Sequence, residues 1–183
     1  MAFRLFLLAI FSSSLLAAEV AGVKLDERIQ PGNLQLNGAG LRKRLFFQVY
    51  AIGLYLPKKT GNAEEAIASP GPKRVAIHML RNVGAAEFSE ALAEGIRANH
   101  DEAEAKALEP RVQELAAIMA EVKEAKKGMA ISLDATPTGT QVLIDGKPAG
   151  RPIAGEDFYR ALLRIWLGPR PVQDDVKKAL LGG

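Results

Sequence analysis

A chain of 183 residues that is 48% hydrophobic and 25% charged can bury one sizeable core and is too apolar to remain unfolded. Its net charge of +3 is small, and its basic and acidic residues are interleaved, which argues against a nucleic-acid partner. The lack of cysteine excludes disulfides, thiolate catalysis, zinc fingers and a lipidated cysteine.

The N-terminus reads as a targeting segment. Arg4 gives a short positive start, Leu5 to Leu16 an apolar stretch interrupted by Ser12-Ser13-Ser14, and Ala17-Ala18 a small-residue exit. The expectation is a signal peptide over 1–18, cleaved near Ala18, followed by one domain over 19–183. An uncleaved anchor is the alternative, but a membrane span needs about 20 apolar residues and this run stops short. The mature chain is therefore expected to be exported without a stable membrane span, to the periplasm if the host is Gram-negative.

Val20 to Gln30 alternates weakly and reads as a first strand closed by Pro31-Gly32. The stretch Leu36 to Leu56 reads as two strands joined by a tight basic hairpin at Arg42-Lys43-Arg44. In the return strand Phe47, Val49, Ala51, Gly53 and Tyr55 should share one face, and Phe46, Gln48, Tyr50, Ile52, Leu54 and Leu56 the other. Both faces are mostly apolar, so both should be covered, with Ala51 and Gly53 leaving room for a helix. Gly38-Ala39-Gly40 precedes a strand and not a helix, so it reads as bulge or turn glycine and not as a dinucleotide fingerprint.

Asn62 should cap a short helix over Ala63–Ala68, and Lys73 to Leu80 alternates as a strand. Two helices follow at helical apolar spacing: Ala85–Ala98, and Glu102–Lys126 with Pro110 expected to kink or restart it. Met129–Ala135, Thr140–Ile144 and Lys147–Pro152 read as strands, the last two joined through Asp145-Gly146. Asp157–Leu167 and Val172–Leu181 close the chain as helices. This order implies an α+β fold with a largely antiparallel sheet and helices on one face.

Chemical motifs are few. His78, in a strand and expected to face a helix, and His100, in a loop after a helix, have no metal-ligand spacing, and Ser89 has no G-x-S-x-G context. No cofactor or metal is expected, and nothing in the sequence sets an oligomeric state. What remains is a basic corner beside a tyrosine. A guanidinium at the mouth of an apolar cleft suits a carboxylate or enolate, because its planar fork stays charged when partly desolvated. Arg42 admits this reading and the plainer one, in which the three cations keep a sheet edge soluble; for Lys43 and Arg44 the plainer one is preferred.

The motifs GAGLR (38–42), VYAIGLYL (49–56), EFSEAL (87–92) and IWLGPRPVQDDVKKALLG (165–182) together resemble the chalcone isomerase family, in particular its exported bacterial chalcone isomerase-like members. The resemblance implies an open-faced β-sandwich: a large antiparallel sheet, a helical layer and a ligand cleft between them. That family holds plant chalcone-flavanone isomerases and non-catalytic fatty-acid-binding proteins, the latter using an arginine and a tyrosine on the lipid carboxylate. Residue by residue, the plant arginine falls on Arg42, although the hairpin after it is shorter here. The plant threonine before AIG is Tyr50, the tyrosine opening Y-S-E is Phe88, the asparagine seven residues on is Gly95, and the late hydroxyl residue is Ile165.

Ring closure of a chalcone needs donors at the ketone, where an enolate develops. Phe88, Gly95 and Ile165 remove them, leaving Arg42 and Tyr50 at one end of an apolar chamber. The resulting expectation is a non-catalytic binder of a fatty acid or similar amphiphilic carboxylate, with Arg42, Tyr50, Phe88, Gly95 and Ile165 lining its site. The alternatives are an isomerase or intramolecular lyase acting on an enone, and a structural or partner-binding domain whose cleft is filled by Phe46, Phe88, Phe158 and Trp166. Trp166 and Phe158 are expected in the core.

Overall fold

The computed structural model describes residues 17–30 and 32–183, so the predicted leader up to Leu16, and Pro31, lie outside the described residues. Seven strands form one antiparallel sheet. Numbered along the chain, they are β3 (Arg28–Ile29), β4 (Leu34–Arg44), β5 (Phe47–Leu56), β6 (Lys73–Met79), β9 (Ala130–Thr136), β10 (Gly139–Ile144) and β11 (Lys147–Ile153), ordered β11-β10-β9-β6-β5-β4-β3. Two small two-stranded sheets stand apart: β1 (Ala17–Val20) with β2 (Val23–Asp26), and β7 (Val83–Gly84) with β8 (Glu124–Ala125). The helices are α1 (Ala63–Ala68), α2 (Ala85–Ala98), α3 (Glu102–Ala120), α4 (Glu156–Leu167) and α5 (Asp174–Leu180). The fold is α+β, a curled antiparallel sheet with helices packed on one face.

Local chemistry sets many of these boundaries. Asn62 Oδ1 accepts the Glu65 N–H at 3.1 Å and starts α1, while Asp101 and Glu104 form a reciprocal capping box at the start of α3. Asp145 and Gly146 both take positive φ (+49° and +77°), the twist a two-residue hairpin requires, and the Asp145 carboxylate also accepts the Ala130 N–H.

Helix α4 is the centre of the main core. Phe158, Tyr159, Ala161, Leu162, Leu163, Ile165, Trp166 and Leu167 are all buried, against Ile52, Leu54 and Leu56 of β5 and Val75 and Ile77 of β6. Burial of each such large side chain contributes about 1.5–3 kcal/mol.

Four expectations are corrected. The first predicted strand folds back at Ala21-Gly22 (φ +50° and +81°), making the β1–β2 hairpin and then β3. That hairpin, not a helix, covers Gly53: a side chain there would meet Leu36, Tyr55 and Leu25, three members of a second small core behind the sheet. The third helix runs through Pro110 without restarting and ends at Ala120, because Lys123 turns left-handed (φ +61°) and Glu124–Ala125 pairs with β7. His78 pairs in register with Ala51 and Ala130 on the rear face, away from the helices.

The close helix approach falls instead on the glycines of β4. A Cβ on Gly38 would fall onto the Ala179 carbonyl of α5, and one on Gly40 would sit 3.2 Å from the Ala179 Cβ. Between those strands the register slips at Leu36/Gly38, so the glycine cluster does accompany a bulge. Asn37, the extra residue there, is buried. Its Nδ2 donates to the carbonyls of Leu180 (2.6 Å) and Thr60 (3.0 Å), and its Oδ1 accepts the Thr60 N–H (2.7 Å).

Candidate functional site

One cavity of about 890 Å³ opens between the β4–β5 hairpin, α2, the segment after β6 and the α4–α5 connection. Its volume lies within the range of about 300–1,000 Å³ usual for small-molecule sites. Arg42, Tyr50, Phe88, Gly95 and Ile165, more than a hundred residues apart at the extremes, all line it.

A second bulge shapes its sheet wall. Arg42 pairs with Tyr50 across β4 and β5, but Lys43 pairs with Gln48, leaving Val49 as the extra residue. The slip turns Val49 into the cavity, where simple alternation had placed it on the Ala51 and Gly53 face. It also leaves Arg42 and Tyr50 side by side on the cavity side of the sheet.

Tyr50 is 8% exposed, and its hydroxyl accepts a hydrogen bond from Trp166 Nε1 at 3.0 Å. Burial raises the tyrosine pKa, opposed by the Trp166 hydrogen bond and the nearby Arg42 charge, so the hydroxyl keeps its proton. Since an indole N–H can only donate, the Tyr50 proton is left to point elsewhere, and the cavity lies beside it.

Arg42 is half-buried and anchored by one nitrogen. Its Nη1 donates to the Lys43 carbonyl and to Gln173 Oε1 at 3.2 Å; the same Oε1 accepts the Lys43 N–H at 3.0 Å. Gln173 occupies the N-cap position of α5 but makes no capping bond with its side chain, which reaches back to β4 instead. The bonds that anchor the Arg42 guanidinium run through Nη1, and its charge also favours the neighbouring Tyr50 oxygen, so only part of its five-donor fork is engaged within the chain.

Gly95 and Ile165 interlock. A Cβ on Gly95 would lie 2.7 Å from Ile165 Cγ2, so the isoleucine of α4 occupies the space a side chain of α2 would need. With Phe88 and Leu92, both 5% exposed, they form an apolar interior with no side-chain donor. Charged groups gather at the rim, where Arg44 pairs with Glu87 at 2.9 Å and Arg81, Glu90, Glu94 and Arg170 are exposed.

The cleft is not filled by the chain's own aromatics. Phe46 is 97% exposed, Phe158 and Trp166 are in the core, and only Phe88 of those four lines the cavity. The residues that aim the polar pair, Trp166 and Gln173, were not singled out for that role from sequence. Among the described residues no group of three or more His, Asp or Glu could hold a metal ion, and no helix is long and apolar enough to cross a membrane.

A family model described as chalcone isomerase-like matches residues 17–182. The chain belongs to the chalcone isomerase-like family. Among solved structures, it is similar to a fatty-acid binding protein of Arabidopsis thaliana, with a TM-score of 0.71, 15% sequence identity, and coverage of 91% of this chain and 95% of that one. At that identity the likeness establishes the chalcone isomerase-like fold alone. No curated protein matches this family member in sequence.

Proposed function

We propose that the chain binds a fatty acid or similar amphiphilic carboxylate in this cavity without transforming it. The observation that carries the proposal is the pairing of Arg42 and Tyr50, two donors side by side at one end of an interior otherwise lined by Val49, Phe88, Leu92, Gly95 and Ile165. The carboxylate would accept from the Arg42 guanidinium and the Tyr50 hydroxyl. Each methylene of the tail buried against the apolar wall contributes about 0.8 kcal/mol, so the tail supplies affinity and the cation orientation. The fold likeness to the Arabidopsis thaliana fatty-acid binding protein supports this reading.

An isomerase would need a further donor at the ketone facing Arg42, and Phe88, Gly95 and Ile165 supply none. Export is part of the same proposal: a leader over 1–18 would deliver the binder to the periplasm of a Gram-negative host. A cut after Ala18 leaves Glu19 and Val20 of β1 to pair with Lys24 and Val23. The intact mass of the secreted chain tests it.

Calorimetric titration of a long-chain acid and its alcohol analogue tests the binding. Removing a hydrogen bond to a charged group costs about 1.5–3 kcal/mol, so Arg42→Ala should weaken the acid roughly 10- to 100-fold and leave the alcohol nearly unchanged. Equal losses for both ligands would remove the arginine from the site.

A further inference from the structure

The loop joining β4 and β5 exposes three large apolar side chains in a row: Leu45 is 85%, Phe46 97% and Phe47 56% exposed. The two fully projecting residues stand at the turn itself, and Leu45 adopts φ +54°, a left-handed conformation that glycine or asparagine takes with less strain. A turn selected for folding alone would carry one of those residues there and polar side chains beside it. Instead an apolar tip is held out at a conformational cost.

The tip is ringed by cations. Lys43 is exposed and, like Arg81, has no ion-pair partner among the described residues; the Arg81 guanidinium lies 4.7 Å from the centre of the Phe47 ring. Arg44 is paired with Glu87. Of the other acids on the same side, Glu90 is paired with Arg97, which leaves Glu94. Apolar side chains projecting beyond a collar of long cationic ones match the depth profile of an anionic bilayer, with hydrocarbon below and phosphate above.

We propose that the Leu45-Phe46-Phe47 tip docks on the surface of an anionic phospholipid bilayer, with Lys43 and Arg81 at the phosphates. Leu45, Phe47, Arg44 and Arg81 also line the cavity, so docking turns the cavity mouth to the membrane. The contact goes beyond the cavity ligand and is independent of it.

Co-sedimentation with vesicles of phosphatidylcholine mixed with phosphatidylglycerol, and with phosphatidylcholine alone, tests the docking with no fatty acid added. Wild type should bind the anionic vesicles more tightly, and added salt should weaken that binding. The double variant Leu45→Asn, Phe46→Ser should lose at least about tenfold in vesicle affinity without a lower melting temperature, since asparagine suits the left-handed position. Both proteins carry the same N-terminus, so any contribution from a leader cancels. Lys43→Glu with Arg81→Glu should abolish the preference for anionic vesicles. Equal binding of the two vesicle types by wild type, or undiminished binding by the tip variant, would overturn the docking. So would a tip variant that changes only self-association in gel filtration, which would assign the tip to a second copy of the chain.

Discussion

Tyr50 joins stability to binding through one oxygen. Its Oη accepts from Trp166 Nε1 inside the core while its own proton remains for a ligand. Tyr50→Phe therefore leaves a buried indole N–H without a partner, a loss of about 1–3 kcal/mol that thermal denaturation should detect. Affinity for an acid should fall in the same variant. Trp166→Phe removes the other partner, so the hydroxyl loses its positioning without losing its donor, and acid affinity should fall less. The interlocked pair makes a second prediction. Gly95→Asn, which restores the plant family's side chain, should destabilise by roughly 1–3 kcal/mol because Ile165 Cγ2 stands 2.7 Å from the new Cβ. In an Ile165→Ala background, itself destabilised by the lost core side chain, the same glycine change should cost much less, and a double-mutant cycle by chemical denaturation measures the coupling. Arg42, Tyr50, Phe88, Gly95 and Ile165 of the cavity wall were legible from the family motifs, whereas Val49 and Leu92 were not. The partners Trp166 and Gln173 were not, because each lies more than a hundred residues from the group it orients and no local pattern links them.

At the scale of elements, the position of α5 decides where Arg42 points. The helix rests on the glycines of β4, and its first residues present Gln173 to the Arg42 guanidinium. Gly38→Ala would drive a methyl group into the Ala179 backbone, which cannot yield as a side chain does. It should cost more than about 3 kcal/mol and weaken acid binding with it. Gly40→Ala meets the Ala179 Cβ at 3.2 Å and should be milder on both readouts. Apart from the short strands β7 and β8, which were not read, strand and helix positions from β4 to α5 were legible from periodicity, caps and the Asp-Gly turn, to within a few residues except at the end of α3. The two bulges were not. Alternation carries no mark of an inserted residue, so Val49 was assigned to the wrong face and Asn37 drew no notice. The sequence also held no mark that the glycines of β4 and β5 face different covers, a helix for Gly38 and Gly40 and the β1–β2 hairpin for Gly53.

The whole molecule is a sheet with two unequal covers, and one part of its response to acid comes from the rear face. On the rear face, desolvation by burial lowers the His78 pKa, with Asp145 opposing weakly. Between that lowered value and the ordinary one near 6.5, the unfolded chain is protonated and the folded one is not, so stability falls as pH drops below about 6.5 and levels off below the folded pKa. His78→Gln should flatten this part of a stability-versus-pH curve followed by urea denaturation. The antiparallel α+β architecture was legible in the order of elements and the family resemblance, since hairpin signals and a helical middle allow few arrangements. Which cover lies on which face depended on long-range contacts that periodicity does not encode.

Native mass spectrometry, with a long-chain fatty acid added in slight excess, tests the carboxylate-binding cavity most directly. One acid should remain on each wild-type chain through desolvation and be largely lost from Arg42→Ala, while the alcohol analogue is retained about equally by both. A wild-type chain found at its bare mass, or one that holds the acid no better than Arg42→Ala does, would contradict it.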